Sequence, residues 1–266
     1  MRLSEAVEGR LPHPSLFLVL SELPRALLEL GSLPLAAGPL LAASPGGDGH
    51  PVLVLPGFAT TDLSTRPLRR FLKAKGYDVR AWTLGRNLGS KAIGRDGEKL
   101  IAILEGIFAE TGRKISLVGW SLGGLMAKTL AGQRPDLVRQ IITLGSPLGG
   151  DPKSTAVWRL YEGMTGDRVD DEVALKHFHE AQQPPKVPST AIYSKADGIV
   201  PWQNCVMARH DLTDNIEVHG SHCGLGVNPI VLNAVADRLA QPEGSWTPFK
   251  RSGLRGCIYP SSGHVH

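Results

Sequence analysis

Between residues 51 and 239, short apolar runs alternate with segments of helical periodicity, and this alternation limits the possible folds more than any other feature. The run Pro51-Val52-Leu53-Val54-Leu55-Pro56 is apolar at every position, as a strand buried on both faces must be. Further strands are predicted over 77–82, 114–120, 138–144, 189–195 and 215–219. Helices are predicted over 62–76 with Asp62 as cap, 94–111, 122–133 with Pro135 as the stop, and 229–239. Strands alternating with helices of this length imply β-α-β units, hence an α/β fold with a mostly parallel sheet of about six strands.

Composition removes several other classes. The 266 residues are 42% hydrophobic and 20% charged, too apolar for a disordered chain. Three Cys are too few for a disulfide scaffold or a four-Cys zinc site. A net charge of +4 with only 6% aromatic residues, and no basic stripe, argues against nucleic acid as a partner. Residues 1–48 form a Leu- and Pro-rich arm, read as one or two short helices broken at Pro24 and Pro34 and packed on the core, with membrane-surface contact weighed against that reading. The apolar run 16–20 is too short to span a bilayer, Glu5 and Glu8 do not suit a signal peptide, and a cytoplasmic location is the default expectation. The core is expected over 49–240. Within it, 146–188 contain no strand and are expected to form a lid or cap. The tail 241–266 is expected to lie along the surface.

Gly119-Trp120-Ser121-Leu122-Gly123 has the form G-x-S-x-G, which by itself recurs by chance. Its position between a predicted strand and a predicted helix gives it meaning. A serine exposed on so sharp a turn needs neighbours without Cβ atoms, which Gly119, Gly123 and Gly124 supply. A base should stand in a loop just beyond a strand, and His222 does, whereas His219 falls inside the predicted strand. The acid that orients it is expected at Asp197, with Asp151 as runner-up, giving the chain order Ser121, Asp197, His222. The oxyanion donors are expected to be the backbone N–H groups of Leu122, after the nucleophile, and Phe58, after the first strand.

In these motifs, and in residues 51–58, 118–124, 193–202 and 220–229, the chain resembles the α/β-hydrolase-fold serine esterases and lipases. The resemblance runs from about residue 50 to 240 and departs where many bacterial lipases carry His-Gly and this chain carries Pro56-Gly57. It implies attack by Ser121 on an ester carbonyl with His222 as base, an acyl-enzyme, and release by water. Acyl transfer, thioester or amide cleavage would use the same residues, and a non-catalytic binding role is the reading from another class. No phosphate loop, zinc spacing or dinucleotide motif is present, so no cofactor and no metal are expected. The expected partner is a small-molecule or lipid ester. Trp120, Trp158, Tyr161, Met164, Phe178 and Val200 are candidate pocket residues. Cys205 and Cys223 lie on the loops that must bring acid to base, and a disulfide between them is expected under oxidising conditions, leaving Cys257 unpaired.

Overall fold

The computed structural model describes residues 13–150, 152–169, 171–253 and 255–260. Its centre is a six-stranded sheet of β1 (Pro51–Leu55), β2 (Asp78–Ala81), β3 (Ile115–Trp120), β4 (Val138–Leu144), β5 (Ser189–Tyr193) and β6 (Thr213–Glu217). The strand order is β2-β1-β3-β4-β5-β6 and every pairing is parallel. Alternation along a strand divides the core in two. Val52 and Val54 of β1 enter one apolar cluster, while Leu53 and Leu55 enter the other. The first cluster is covered by α2 (Arg66–Ala74) and α9 (Pro229–Leu239), the second by α4 (Glu98–Thr111) and α5 (Leu122–Gln133). Burial on both faces explains why the strands read as continuous apolar runs.

Several expectations shift. The helix predicted over 94–111 begins only at Glu98, as α4, and a separate short helix, α3 (Ser90–Ile93), precedes it; Gly94 and Gly97 between the two adopt positive φ. Asp62 does not cap α2. Its carboxylate accepts the N–H groups of Trp82 and Thr83 and so fixes the end of β2. The strand containing Asn215 ends at Glu217, leaving His219 just beyond it. Residues 146–188 hold α6 (Trp158–Thr165) and α7 (Glu172–Gln182), with no strand among the described residues, and the short α8 (Trp202–Cys205) comes after β5. Helix α7 lies on α5, where Thr129 donates to the His177 carbonyl and Gln133 to Glu180. In the tail, the short α10 (Arg255–Ile258) precedes Tyr259, which packs with Phe249 into the first cluster. The tail therefore contributes to the core instead of only lying along it.

The largest correction concerns the N-terminal arm. It is one continuous helix, α1 (Leu16–Ala43), with Pro24, Pro34 and Pro39 inside it. Each proline removes the N–H that would bond the carbonyl four residues earlier. Those carbonyls belong to Leu20, Leu30 and Leu35, all at solvent-exposed positions where they need no protein partner. Over this span α1 is long and apolar enough to cross a membrane by length and composition, which the short run 16–20 alone had excluded. Its three charges interrupt the sequence but share one face, so they do not interrupt the apolar surface.

Candidate active site

Ser121 stands between β3 and α5 with φ 52° and ψ −121°, a left-handed conformation that costs a non-glycine residue on the order of 1–3 kcal/mol. The turn is this tight because its flanks touch backbone. A Cβ on Gly119 would strike the Gly123 carbonyl, and one on Gly123 would strike the carbonyls of Leu55 and Pro56. The glycines of the motif are therefore required by packing. Strand β4 lies alongside, and Ser121 N–H donates to the Leu144 carbonyl at 2.8 Å. The next residue, Gly145, abuts the remaining two members of the site. A Cβ there would lie 3.1 Å from both Asp197 Oδ2 and His222 Nδ1.

Asp197 follows β5 and His222 follows β6, both at the C-terminal edge of the sheet. His222 Nδ1 and Asp197 Oδ2 are 2.6 Å apart, and both residues are buried. The other carboxylate oxygen accepts the N–H groups of Ile199 at 2.8 Å and Val200 at 2.7 Å, which fixes the plane of the acid. Burial alone would lower the His222 pKa. The charge and hydrogen bond of Asp197 and the charge of Glu22 outweigh it, and the imidazole titrates above its ordinary value of 6.5. Runner-up Asp151 lies outside the described residues.

The N–H groups of Phe58 and Leu122 have no acceptor among the described residues, and both residues line the cleft that holds Ser121. Asn87 braces the first of these loops: its side chain donates to the Pro56 carbonyl at 2.8 Å, and its carbonyl accepts the Ala59 N–H. A Cβ on Gly57 would sit 3.5 Å from the Ser121 Cβ, so this loop passes directly over the serine. The cleft has a volume of about 610 Å³. Trp158, Tyr161, Phe178 and Val200 line it together with Leu125 and Met126. Met164 is not among its lining residues and is part-exposed on the outer side of α6. Trp120 is not in the lining either, because its indole turns away and donates to the His222 carbonyl at 3.1 Å, supporting the base from below. The three cysteines are separate thiols. Cys205 is buried in a cluster with Tyr193 and Val200, and the expected disulfide between it and Cys223 is absent. No group of potential metal ligands occurs among the described residues.

The sequence reading missed the residues of α1. Glu22 Oε1 accepts the N–H groups of Gly198 at 2.7 Å and His222 at 3.1 Å, and Oε2 accepts that of Cys223 at 3.0 Å. One buried carboxylate thus ties the acid loop to the base loop. Arg25 pairs with Glu22 at 2.9 Å and donates to the Ala196 carbonyl at 2.7 Å. Glu29 accepts the Ser221 N–H at 2.7 Å and the Asn228 amide at 3.2 Å. The signal in the sequence was three charged residues at helical spacing inside a leucine-rich stretch, which places them on one face but does not say that this face points inward.

A second Ser–His–Asp chain exists at the opposite edge of the sheet. His50 bonds Asp48 through Nδ1 and lies 2.8 Å from Ser116 Oγ through Nε2. His50 and Ser116 are fully buried, and Ser116 sits inside β3 with no cleft beside it. Burial, the largest influence, lowers the His50 pKa and keeps it neutral. This chain is structural. It shares its residue types with the surroundings of Ser121 but not the strained turn, the unpaired N–H donors or the cleft found there.

Comparison with known proteins agrees with this geometry. The chain is 30% identical over 138 residues to a triacylglycerol lipase of Burkholderia plantarii, a match covering 46% of this chain and 38% of that protein. It is 37% identical over 83 residues to a triacylglycerol lipase of Vibrio cholerae, covering 30% and 25%. The matched stretches thus span well under half of these relatives. Aspergillus fumigatus lipase B superposes with a TM-score of 0.57 at 19% identity, covering 78% of this chain and 58% of the other. The chain has the α/β-hydrolase fold. A Bacillus licheniformis lipase, BlEst2 in its mature form, superposes with a TM-score of 0.52 at 16% identity over 75% of this chain and 93% of the other, and no family model matches the sequence. On this α/β-hydrolase scaffold, Ser121, Asp197 and His222 occupy loops at the carboxyl edge of the sheet, where open α/β folds place their sites.

Proposed function

We propose that the chain is a serine hydrolase of carboxylic esters and that Ser121 forms the acyl-enzyme. One observation carries the reading: a serine on a strained strand-to-helix turn, facing a cleft, with two unpaired N–H donors beside it and a buried His–Asp pair against the adjoining strand. Ser121 Oγ attacks the ester carbonyl as its proton passes to His222 Nε2. The N–H groups of Phe58 and Leu122 receive the developing oxyanion. Asp197 holds the Nδ1 proton and stabilises the imidazolium. The imidazolium then protonates the leaving alcohol. Water attacks the acyl-enzyme with His222 again as base, and Ser121 is regenerated.

The cleft wall is mainly apolar and aromatic, which fits the acyl chain of a lipid ester. The lipases to which the chain is similar support the same class. Turnover of nitrophenyl esters of increasing chain length, with Ser121→Ala as control, tests the reading. Hydrolysis that vanishes in the control and persists to long chains supports it. No hydrolysis at any chain length overturns it. Repeating the assay with a primary alcohol as acceptor separates hydrolysis from acyl transfer.

A further inference from the structure

Helix α1 is built inside out for a helix on the surface of a protein in water. Glu22, Arg25 and Glu29 are the only charged residues between Leu16 and Ala43, and all three turn inward onto the loops around Asp197 and His222. The outward arc carries Leu16, Phe17, Leu20, Leu23, Leu27 and Leu28, each 68–77% exposed. At about 100° per residue, these positions and three further exposed leucines sweep ~160° of the circumference. Monomers rarely leave so wide an apolar surface open to water. The helix cannot roll to hide it, because the inner carboxylates hold five backbone N–H and side-chain amide donors of the core. Its close seating is intrinsic to the sequence: a Cβ on Gly198 would collide with the Leu18 carbonyl.

We propose that the leucine face of α1 docks on a lipid surface, with the helix lying in the interface plane. The arc is far broader than the narrow seam that pairs two helices, and it suits a fluid hydrocarbon layer better than a second copy of the chain. Crossing the bilayer would require the three charges to leave their partners. The carbonyls of Leu20, Leu30 and Leu35, freed by the prolines, also need water, which the headgroup region offers and the hydrocarbon centre does not. With no cation on the outward arc, attachment depends on apolar area and not on anionic headgroups. The arrangement has a consequence for the site. The helix that meets the lipid is the same one that holds the acid and base loops, so docking brings the carboxyl edge of the sheet to the interface.

Flotation of the full chain with phosphatidylcholine vesicles, with and without phosphatidylglycerol, tests this without any turnover, so its outcome is independent of the esterase reading. The comparison is Leu20→Glu/Leu27→Glu, two residues of the exposed arc, with thermal unfolding as the check on folding. The expected result is co-flotation with both vesicle types and a drop of about tenfold or more for a double variant that unfolds at the same temperature. Wild-type protein that stays out of the vesicle fraction overturns the proposal. So does flotation that requires phosphatidylglycerol and survives the substitutions, or a wild-type dimer in light scattering that the substitutions convert to monomer without changing flotation. Should the double variant fail to fold, Leu23→Gln/Leu28→Gln reads out the same loss.

Discussion

His50 and His222 each hold a carboxylate on Nδ1, yet they titrate in opposite directions. Around His50, burial is joined by the cations Arg139 and Arg113, and the imidazole stays neutral. Around His222 the facing charges are Asp197 and Glu22, and they hold the imidazolium in spite of burial. The general base works only when neutral. The acid limb of kcat/KM is therefore expected above the ordinary histidine range, with activity rising as pH climbs through the His222 pKa. Glu22→Gln removes one of the two charges that raise this pKa, so the limb should move to lower pH while KM changes little. A pH–rate profile of the variant checks this, and a limb that stays in place contradicts a positioning role exerted through His222. Ser121→Ala and His222→Ala should each lower kcat by about 10⁶, since triad members act as a unit. Asp197→Asn should cost about 10⁴ by losing control of the imidazole tautomer. Steady-state kinetics on a single soluble ester measures all three.

At the scale of elements, Gly198 decides how close α1 can come to the loop after β5. Gly198→Ala should push the Leu18 carbonyl away, at a cost of about 1–3 kcal/mol in urea unfolding, and should lower kcat because the acid and base loops lose their shared carboxylate. Unchanged stability and turnover would mean that α1 does not brace the site. The sheet strands and α5 were legible because burial on both faces leaves an apolar run that nothing else produces, and because Gly119 to Gly124 encode a turn that only small residues fit. Ser121, Asp197 and His222, the proposed triad, could be singled out for the same reason: each follows a recognisable strand. Helix α1 was not legible. Prolines ordinarily end helices, so local rules split the segment, and spacing alone left open which face of it turns inward. Met164 and Trp120 were misplaced because periodicity identifies a face but not which neighbour covers it. The expected pairing of Cys205 with Cys223 rested on which loops converge, and convergence of loops does not fix where a side chain packs: the Cys205 thiol lies in the buried cluster of Tyr193 and Val200.

Across the whole molecule, the parallel sheet gives Ser121, Asp197 and His222 one common edge, while α1 and the described part of the tail cover the α9 side of the core. Leu33 and Leu40 of α1 pack with the α9 cluster, and Tyr259 donates to the Ile230 carbonyl and to Asn233 at 3.0 Å each. Tyr259→Ala should therefore cost about 3 kcal/mol, as for a large buried aromatic residue, and leave ester turnover at low temperature intact. Denaturant unfolding followed beside activity separates these effects. The central claim concerns one bond, between an acyl group and Ser121 Oγ. Its most direct test is intact-mass and peptide-mass measurement after reaction with a stoichiometric phosphonate ester, which arrests serine hydrolases at the first tetrahedral adduct. The account predicts one adduct per chain, mapped to the peptide containing Ser121, absent in Ser121→Ala and much slower to form in His222→Ala. An adduct on another residue, or undiminished labelling of Ser121→Ala, would contradict it.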